Sequence, residues 1–417
     1  MKFKKVVFFC ATIILSALVL ELFSFAFGKL FLDRVDVHDG PFPKGRPNFP
    51  LSLQNEVAHP YIGYVLGPRD SKHAPCTSEY GFVGRCHQSE GIPFQRESDE
   101  QYIVAVFGGS VAMSVSFLGM EALRDELKKI PALKDKKIVL LNFAFGGYKQ
   151  PQQLMILNYM LALDGAFDMI INLDGFNDIV LPVTENLPDK TCLFFPRRWR
   201  WRLFREVGGP EEILRRADLI RLKKTRKTVA DVFSMNLFRY SFTMQLVFRL
   251  IDGSLSAKIF QDMQKLSAGE RPVRDSYAMM GPQRSYADDR TMYQDLAAFW
   301  ERCSLQMHRI CNANGIRYYH FLQPNQYVLG TKPIRDQERR IAINERHVYK
   351  KSAEEGYPYL SEMGKALSDA GVKFYDLTRV FSDHPEPLYV DDCCHVGNEG
   401  VAILVRAMGR NIAKDLQ

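Results

Sequence analysis

Five residue types in this chain, at widely separated positions, are the ones that acyl-transfer chemistry needs. In VAVFGGSVAMS (104–114) a β-branched apolar run meets two glycines and then Ser110. Such a turn serves either to end a strand and cap the following helix or to present the serine as a nucleophile. A serine hydroxyl is a weak nucleophile near neutral pH and needs an imidazole to take its proton. The imidazole in turn needs a carboxylate to fix its tautomer, and the developing oxyanion needs fixed donors. YVDDCCHVGNEG (389–400) offers His395, with Asp392 three residues before it and Asp391 as a rival orienter. NFAFGGYKQPQQL (142–154) offers glycine N–H donors at Gly146 or Gly147, and NLDGFNDIV (172–180) offers the side-chain amide of Asn177. Each segment also reads as an ordinary turn or helix start, for which Gly, Asn and Asp are favoured.

The elements around these residues must bring them together. From Tyr102 onward, short apolar runs recur at 103–107, 137–144, 169–173, 316–322 and 372–377. Stretches suited to helices separate or follow them at 119–130, 150–164, 291–313, 349–369 and 398–415. This alternation predicts an α/β fold, a parallel sheet covered by helices on both faces. Sheets of that type carry ligands at the carboxyl ends of their strands, and every candidate above falls at such an end. A helical insertion is expected at 185–290. Twelve Lys and Arg lie between Arg197 and Lys227 against four acids, which suits either a lid on anionic headgroups or a subdomain with a solvated cationic face.

Composition sets outer limits. The 417 residues carry 46% hydrophobic and 25% charged residues and a net charge of +7, which fits a globular chain. No zinc-finger, recognition-helix or RRM pattern is present, so no nucleic-acid partner is expected. MKFKK precedes an apolar run to residue 28 that Glu21 interrupts once. The run is about the length a bilayer-spanning helix needs, and Lys2, Lys4 and Lys5 would keep its amino end cytoplasmic. The expected organisation is therefore an anchor at 1–28, a linker and irregular lead-in at 29–100, and a catalytic domain at 101–417. A cleaved signal peptide is the alternative, and Glu21 is the residue that fits a membrane least well. Seven cysteines follow the apolar run. Cys76 and Cys86 are the best-placed pair, and Cys303 and Cys311 sit too far apart along one helix to bond.

In chain order the blocks run strand–GGS, N-x4-G, G-x-N-D and D-x-x-H. This order resembles the SGNH hydrolase superfamily, the GDSL-type esterases and lipases, over residues 104 to 400. HPYIGYVLG (59–67), EYGFVGR (79–85) and FLQPNQY (321–327) are similar to segments of bacterial membrane-anchored SGNH proteins. The resemblance implies a three-layer, flavodoxin-like sheet with Ser110 as nucleophile, His395 as base and Asp392 as its partner. The Ser110 N–H, Gly147 and Asn177 become oxyanion donors, and Gln323 and Asn325 become candidates for substrate contact. It further implies a serine esterase without metal or other cofactor, on the periplasmic side of a bacterial inner membrane. The expected substrate is an O-acylated (acetylated) glycan or, in competition, a lipid ester. The membrane is met through the N-terminal helix and the basic insertion. An O-acyltransferase or an inactive envelope-assembly module are the alternatives. GGS replaces the eponymous GDS, which removes an acid beside the serine and leaves the catalytic set intact.

Overall fold

The computed structural model describes residues 12, 15–27, 56–67, 76–78, 80–84, 94–203, 210–235, 238, 240–268 and 277–416. Two compact units are present. One holds residues 50–205 and 274–417, and the other holds 1–49 and 206–273.

The larger unit is built on a five-stranded parallel sheet. Its strands are β5 (Gln101–Gly108), β6 (Lys137–Asn142), β7 (Met169–Asp174), β8 (Arg317–Leu322) and β9 (Lys373–Asp376), in the order β6-β5-β7-β8-β9. All eight residues of β5 and all six of β7 are buried. Burial on both faces is why these strands read as continuous apolar runs. Its helices include α1 (Ser110–Leu118), α2 (Met120–Lys128), α3 (Gln152–Ala162), α4 (Phe176–Leu181), α5 (Asp289–Ala313), α6 (Val348–Asp369) and α7 (Asn398–Leu416). The chain leaves β5 toward β6 on one side, then returns to lay β7 on the other. That reversal opens a crevice at the carboxyl ends of β5, β6 and β7, where doubly wound sheets bind ligands. The mixed α/β architecture fits the SGNH-like expectation.

Among its described residues, the lead-in holds two short antiparallel strand pairs. Antiparallel β1 (Glu56–His59) and β2 (Gly63–Leu66) pair with each other, as do β3 (Cys76–Thr77) and β4 (Val83–Gly84). Tyr64, wholly buried, donates its hydroxyl proton to the Gly146 carbonyl at 3.0 Å, and Tyr148 donates to the Tyr64 carbonyl at 2.7 Å. These bonds brace the turn after β6. The expected Cys76–Cys86 pair lies outside the described residues, because Cys86 is not among them. Cys303 and Cys311 are buried free thiols on α5.

In the smaller unit, helices Pro210–Phe233 and Phe242–Ala268 lie side by side, with Arg226 paired to Asp252 at 2.6 and 3.0 Å. Glu21, on a helix over 15–27, accepts the Phe242 N–H at 2.6 Å and the Thr243 N–H at 3.4 Å. The carboxylate thus serves the orphan donors that open the Phe242 helix. Among the described residues no helix is long and apolar enough to cross a membrane. Of the expected anchor at 1–28, residue 12 and the helix over 15–27 are described, and the other half lies outside the described residues.

Candidate active site

Each glycine before the serine has a separate cause. Gly108 ends β5 at φ +138°, and a Cβ there would fall 2.0 Å from the Leu173 carbonyl oxygen of β7. A Cβ on Gly109 would fall 2.2 Å from Asn177 Nδ2. The first glycine therefore lets two strands approach, and the second admits the asparagine side chain. Ser110 is the first residue of α1, with Gly109 as its N-cap. First-turn N–H groups have no partner within the helix, so this end offers donors to an anion.

Asn177 belongs to α4, which starts directly after β7. Its Nδ2 donates to the Tyr148 carbonyl at 2.8 Å, which holds the amide beside the turn after β6 and leaves its second proton to donate elsewhere. Asp178 ties the same two turns together, its oxygens accepting the Gln150 N–H at 2.6 Å and the Gly175 N–H at 3.1 Å. Between the two candidate glycines of the β6 turn, the surroundings distinguish Gly147. It sits at φ +81°, and a Cβ would meet Arg197 Cδ at 2.0 Å, whereas a Cβ on Gly146 would meet nothing within 4 Å.

The histidine arrives from the other end of the chain. Its loop leaves β9 and returns to α7, pinched by a Tyr389–Val396 bridge. His395 Nδ1 lies 2.5 Å from Asp391 Oδ2. Asp392 was the orienter expected from spacing, and the structure places it elsewhere, with its carboxylate accepting from Asn344 Nδ2 at 3.1 Å. The reason is local geometry. Asp391 Oδ1 accepts the N–H groups of Cys393, Cys394 and His395 at 3.0, 3.2 and 3.2 Å. Its side chain thus lies inside the turn, and the second oxygen reaches the ring. Burial alone would lower the His395 pKa, but the Asp391 hydrogen bond and charge outweigh it and hold the ring above the ordinary imidazole value. Burial would raise Asp391, yet its bond to His395 keeps it below the usual carboxylate range. With Nδ1 committed to Asp391, Nε2 is the nitrogen that can take a proton.

Contacts join these pieces into one ring of residues. The Ser110 side chain acts on the Cys394 thiol, one residue before His395. The Arg197 charge acts on His395, and the Arg197 stem lies over Gly147. Gly147 leads to Tyr148, whose carbonyl holds Asn177, and Asn177 lies against Gly109. Arg197 is itself paired with Glu185, its Nε donating at 2.9 Å. In the sequence Arg197 stands in the basic insertion, and nothing in its spacing marks it as a neighbour of Gly147.

The FLQPNQY segment after β8 holds the histidine loop. Asn325 Nδ2 donates to the Cys393 carbonyl at 3.0 Å, Gln326 Nε2 to the Asp391 carbonyl at 3.1 Å, and the Tyr327 hydroxyl to the Asp392 carbonyl at 2.9 Å. Asn325, a candidate for substrate contact, is wholly buried and acts here as a positioning residue. Gln323, the other candidate, is also buried, its N–H donating to the Asp174 carbonyl at 2.9 Å.

No protein-family model matches the chain, and no curated protein matches it. Solved structures do resemble it. An acetyl xylan esterase is 12% identical, with 75% of this chain and 98% of that one covered at a TM-score of 0.34. A GDSL-like lipase from Bacteroides thetaiotaomicron is 9% identical, with 77% and 92% covered at a TM-score of 0.35. At such scores these likenesses add nothing to the topology and geometry already described.

Proposed function

We propose that the protein is a serine ester hydrolase acting on O-acyl, in particular O-acetyl, groups of an envelope glycan. The observation that carries this reading is the meeting of Ser110 with the loop of the Asp391–His395 pair, at a helix N-terminus flanked by Gly147 and Asn177. In this reading Ser110 Oγ attacks the ester carbonyl carbon while His395 Nε2 takes the hydroxyl proton. Asp391 stabilises the imidazolium that results. The Ser110 and Gly147 N–H groups and Asn177 Nδ2 donate to the tetrahedral oxyanion. The intermediate collapses as His395 returns the proton to the leaving alcohol. Water, deprotonated by the same ring, then releases the carboxylic acid from the acyl-enzyme.

Transfer to a sugar hydroxyl is the second form of the same chemistry, and it differs only in what attacks the acyl-enzyme. The setting remains part of the proposal: an N-terminal anchor, with the catalytic unit on the periplasmic side. It is supported by the sequence of the apolar run and by the exposure of Leu15, Leu18, Val19, Leu20, Leu22 and Phe23. The basic helix Pro210–Phe233 is proposed to face anionic headgroups.

A fluorophosphonate probe tests the nucleophile. It is expected to label the wild-type chain at Ser110 and not the Ser110→Ala variant, which should also lose at least about 10³-fold in p-nitrophenyl acetate turnover. Equal labelling and turnover in the two proteins would overturn the reading, and absence of labelling in both would favour a non-catalytic module.

A further inference from the structure

The residues beside the proposed base form a second constellation that ester hydrolysis does not use. Cys393, Cys394 and His395 each offer one metal-binding atom, and the three atoms lie within 4.8 Å of one another. The two Sγ atoms are 3.6 Å apart. Two thiolates on one tetrahedral zinc, with bonds of about 2.3 Å, stand about 3.8 Å apart. The pair can therefore close on such an ion with almost no movement. Both cysteines are free thiols, Cys394 buried and Cys393 partly exposed.

The surroundings supply what metal sites need beyond their ligands. Metal-binding histidines characteristically give their second nitrogen to a carboxylate, which fixes the ring. Asp391 already does this at Nδ1, at 2.5 Å. The loop is further held by Asn325, Gln326 and Tyr327 through three backbone carbonyls. Two sulfurs and one imidazole are a soft donor set that suits zinc and its thiophilic relatives rather than magnesium or calcium.

We propose that Cys393, Cys394 and His395 bind a thiophilic divalent cation of the zinc class, and that its binding shuts off the esterase. Binding forms two metal–sulfur bonds and one metal–nitrogen bond and releases one proton from each thiol; no electron is transferred. Because Asp391 holds Nδ1, the metal takes Nε2, the nitrogen that would otherwise accept the Ser110 proton. Hydrolysis and metal binding then exclude each other. The inhibitory half rests on the proposed hydrolase mechanism, whereas the binding half does not.

The test uses the full chain, reduced with a phosphine and freed of metal by a chelator. Cobalt(II) is added first, then zinc in competition with a chromophoric chelator. One cobalt per chain with thiolate-to-cobalt absorption is expected, displaced by zinc. Cys393→Ala, and separately Cys394→Ser, should weaken zinc binding at least about tenfold. In each protein the ratio of p-nitrophenyl acetate turnover without and with zinc is then compared. That ratio should be large for the wild type and near one for Cys393→Ala at the same zinc concentration. Absence of the thiolate band, or unchanged affinity in both variants, overturns the site. Zinc binding with undiminished turnover overturns the inhibition, and zinc binding by a chain with no turnover at all supports the site while removing the hydrolase reading.

Discussion

The corner that carries Ser110 and the loop that carries His395 are held in place by different means. The corner is set by backbone: buried parallel strands, a helix that begins at the serine, and glycines whose Cβ atoms would collide with Leu173, Asn177 and Arg197. The loop has almost no regular structure. It is held by side chains bonded to its backbone: Asn325, Gln326 and Tyr327, from the segment after β8, on its carbonyls, and its own Asp391 on its N–H groups. At its base, Glu338 accepts the Leu388 and Tyr389 N–H groups at 2.9 and 2.8 Å and pairs with Lys332 at 2.6 Å, both side chains fully buried. A backbone-set corner fails through added bulk, and a side-chain-set loop fails through the loss of a single polar group.

That contrast can be tested where the loop is most exposed to single changes. Asp391→Asn keeps an oxygen for the three N–H groups but turns an amide N–H toward His395 Nδ1. The ring would then carry its proton on Nε2, the wrong tautomer for a base, and kcat should fall by about 10³- to 10⁴-fold. Asp392→Asn should stay within about threefold, since its carboxylate bonds to Asn344 and it is Asp391 that bonds to His395. Equal losses in the two variants would erase the distinction between the neighbouring acids.

Glu338→Gln leaves the Lys332 ammonium buried without its counter-ion and should cost about 3 to 5 kcal/mol of stability in urea denaturation. A loss below about 1 kcal/mol would mean that the loop does not depend on this clamp. At the corner, Asn177→Ala should reduce kcat by about 10²- to 10³-fold with little change in KM, as expected of a donor that acts on the transition state. A rise in KM alone would move Asn177 from oxyanion donor to ground-state contact.

The smallest effect is on the pH profile. The proposed base acts when neutral, so activity should fall as pH drops through the His395 pKa. The groups that set it are Asp391, Cys393 and Arg197 together with burial, and the net direction is upward. The acid limb should therefore have its midpoint above the ordinary histidine value of about 6.5. Kinetics in metal-free buffer would show this, and a midpoint below that value would contradict an Asp391-held ring.

The sheet was legible because parallel strands buried on both faces must be apolar throughout. Each of the five runs at 103–107, 137–144, 169–173, 316–322 and 372–377 contains or overlaps a strand. The glycines, the serine and Asn177 were legible for a related reason: they fall where strands end, and strand ends converge in this topology. The hairpin Glu56–Leu66 was not legible, because the Tyr148 hydroxyl that bonds to its Tyr64 carbonyl stands 84 residues away in the chain. Arg197 was equally hidden, since its neighbour Gly147 lies 50 positions away.

By itself the sequence determined the alternation of buried strands and amphipathic helices, and with it the edge of the sheet at which polar residues gather. It could not choose between Asp391 and Asp392, because both stand within one turn of His395. The tertiary structure decided that choice through the fold of the loop, which turns one carboxylate inward onto three N–H groups and the other outward to Asn344. Periodicity records which residues must leave water, whereas the direction of a loop side chain depends on partners that only the folded chain brings within reach.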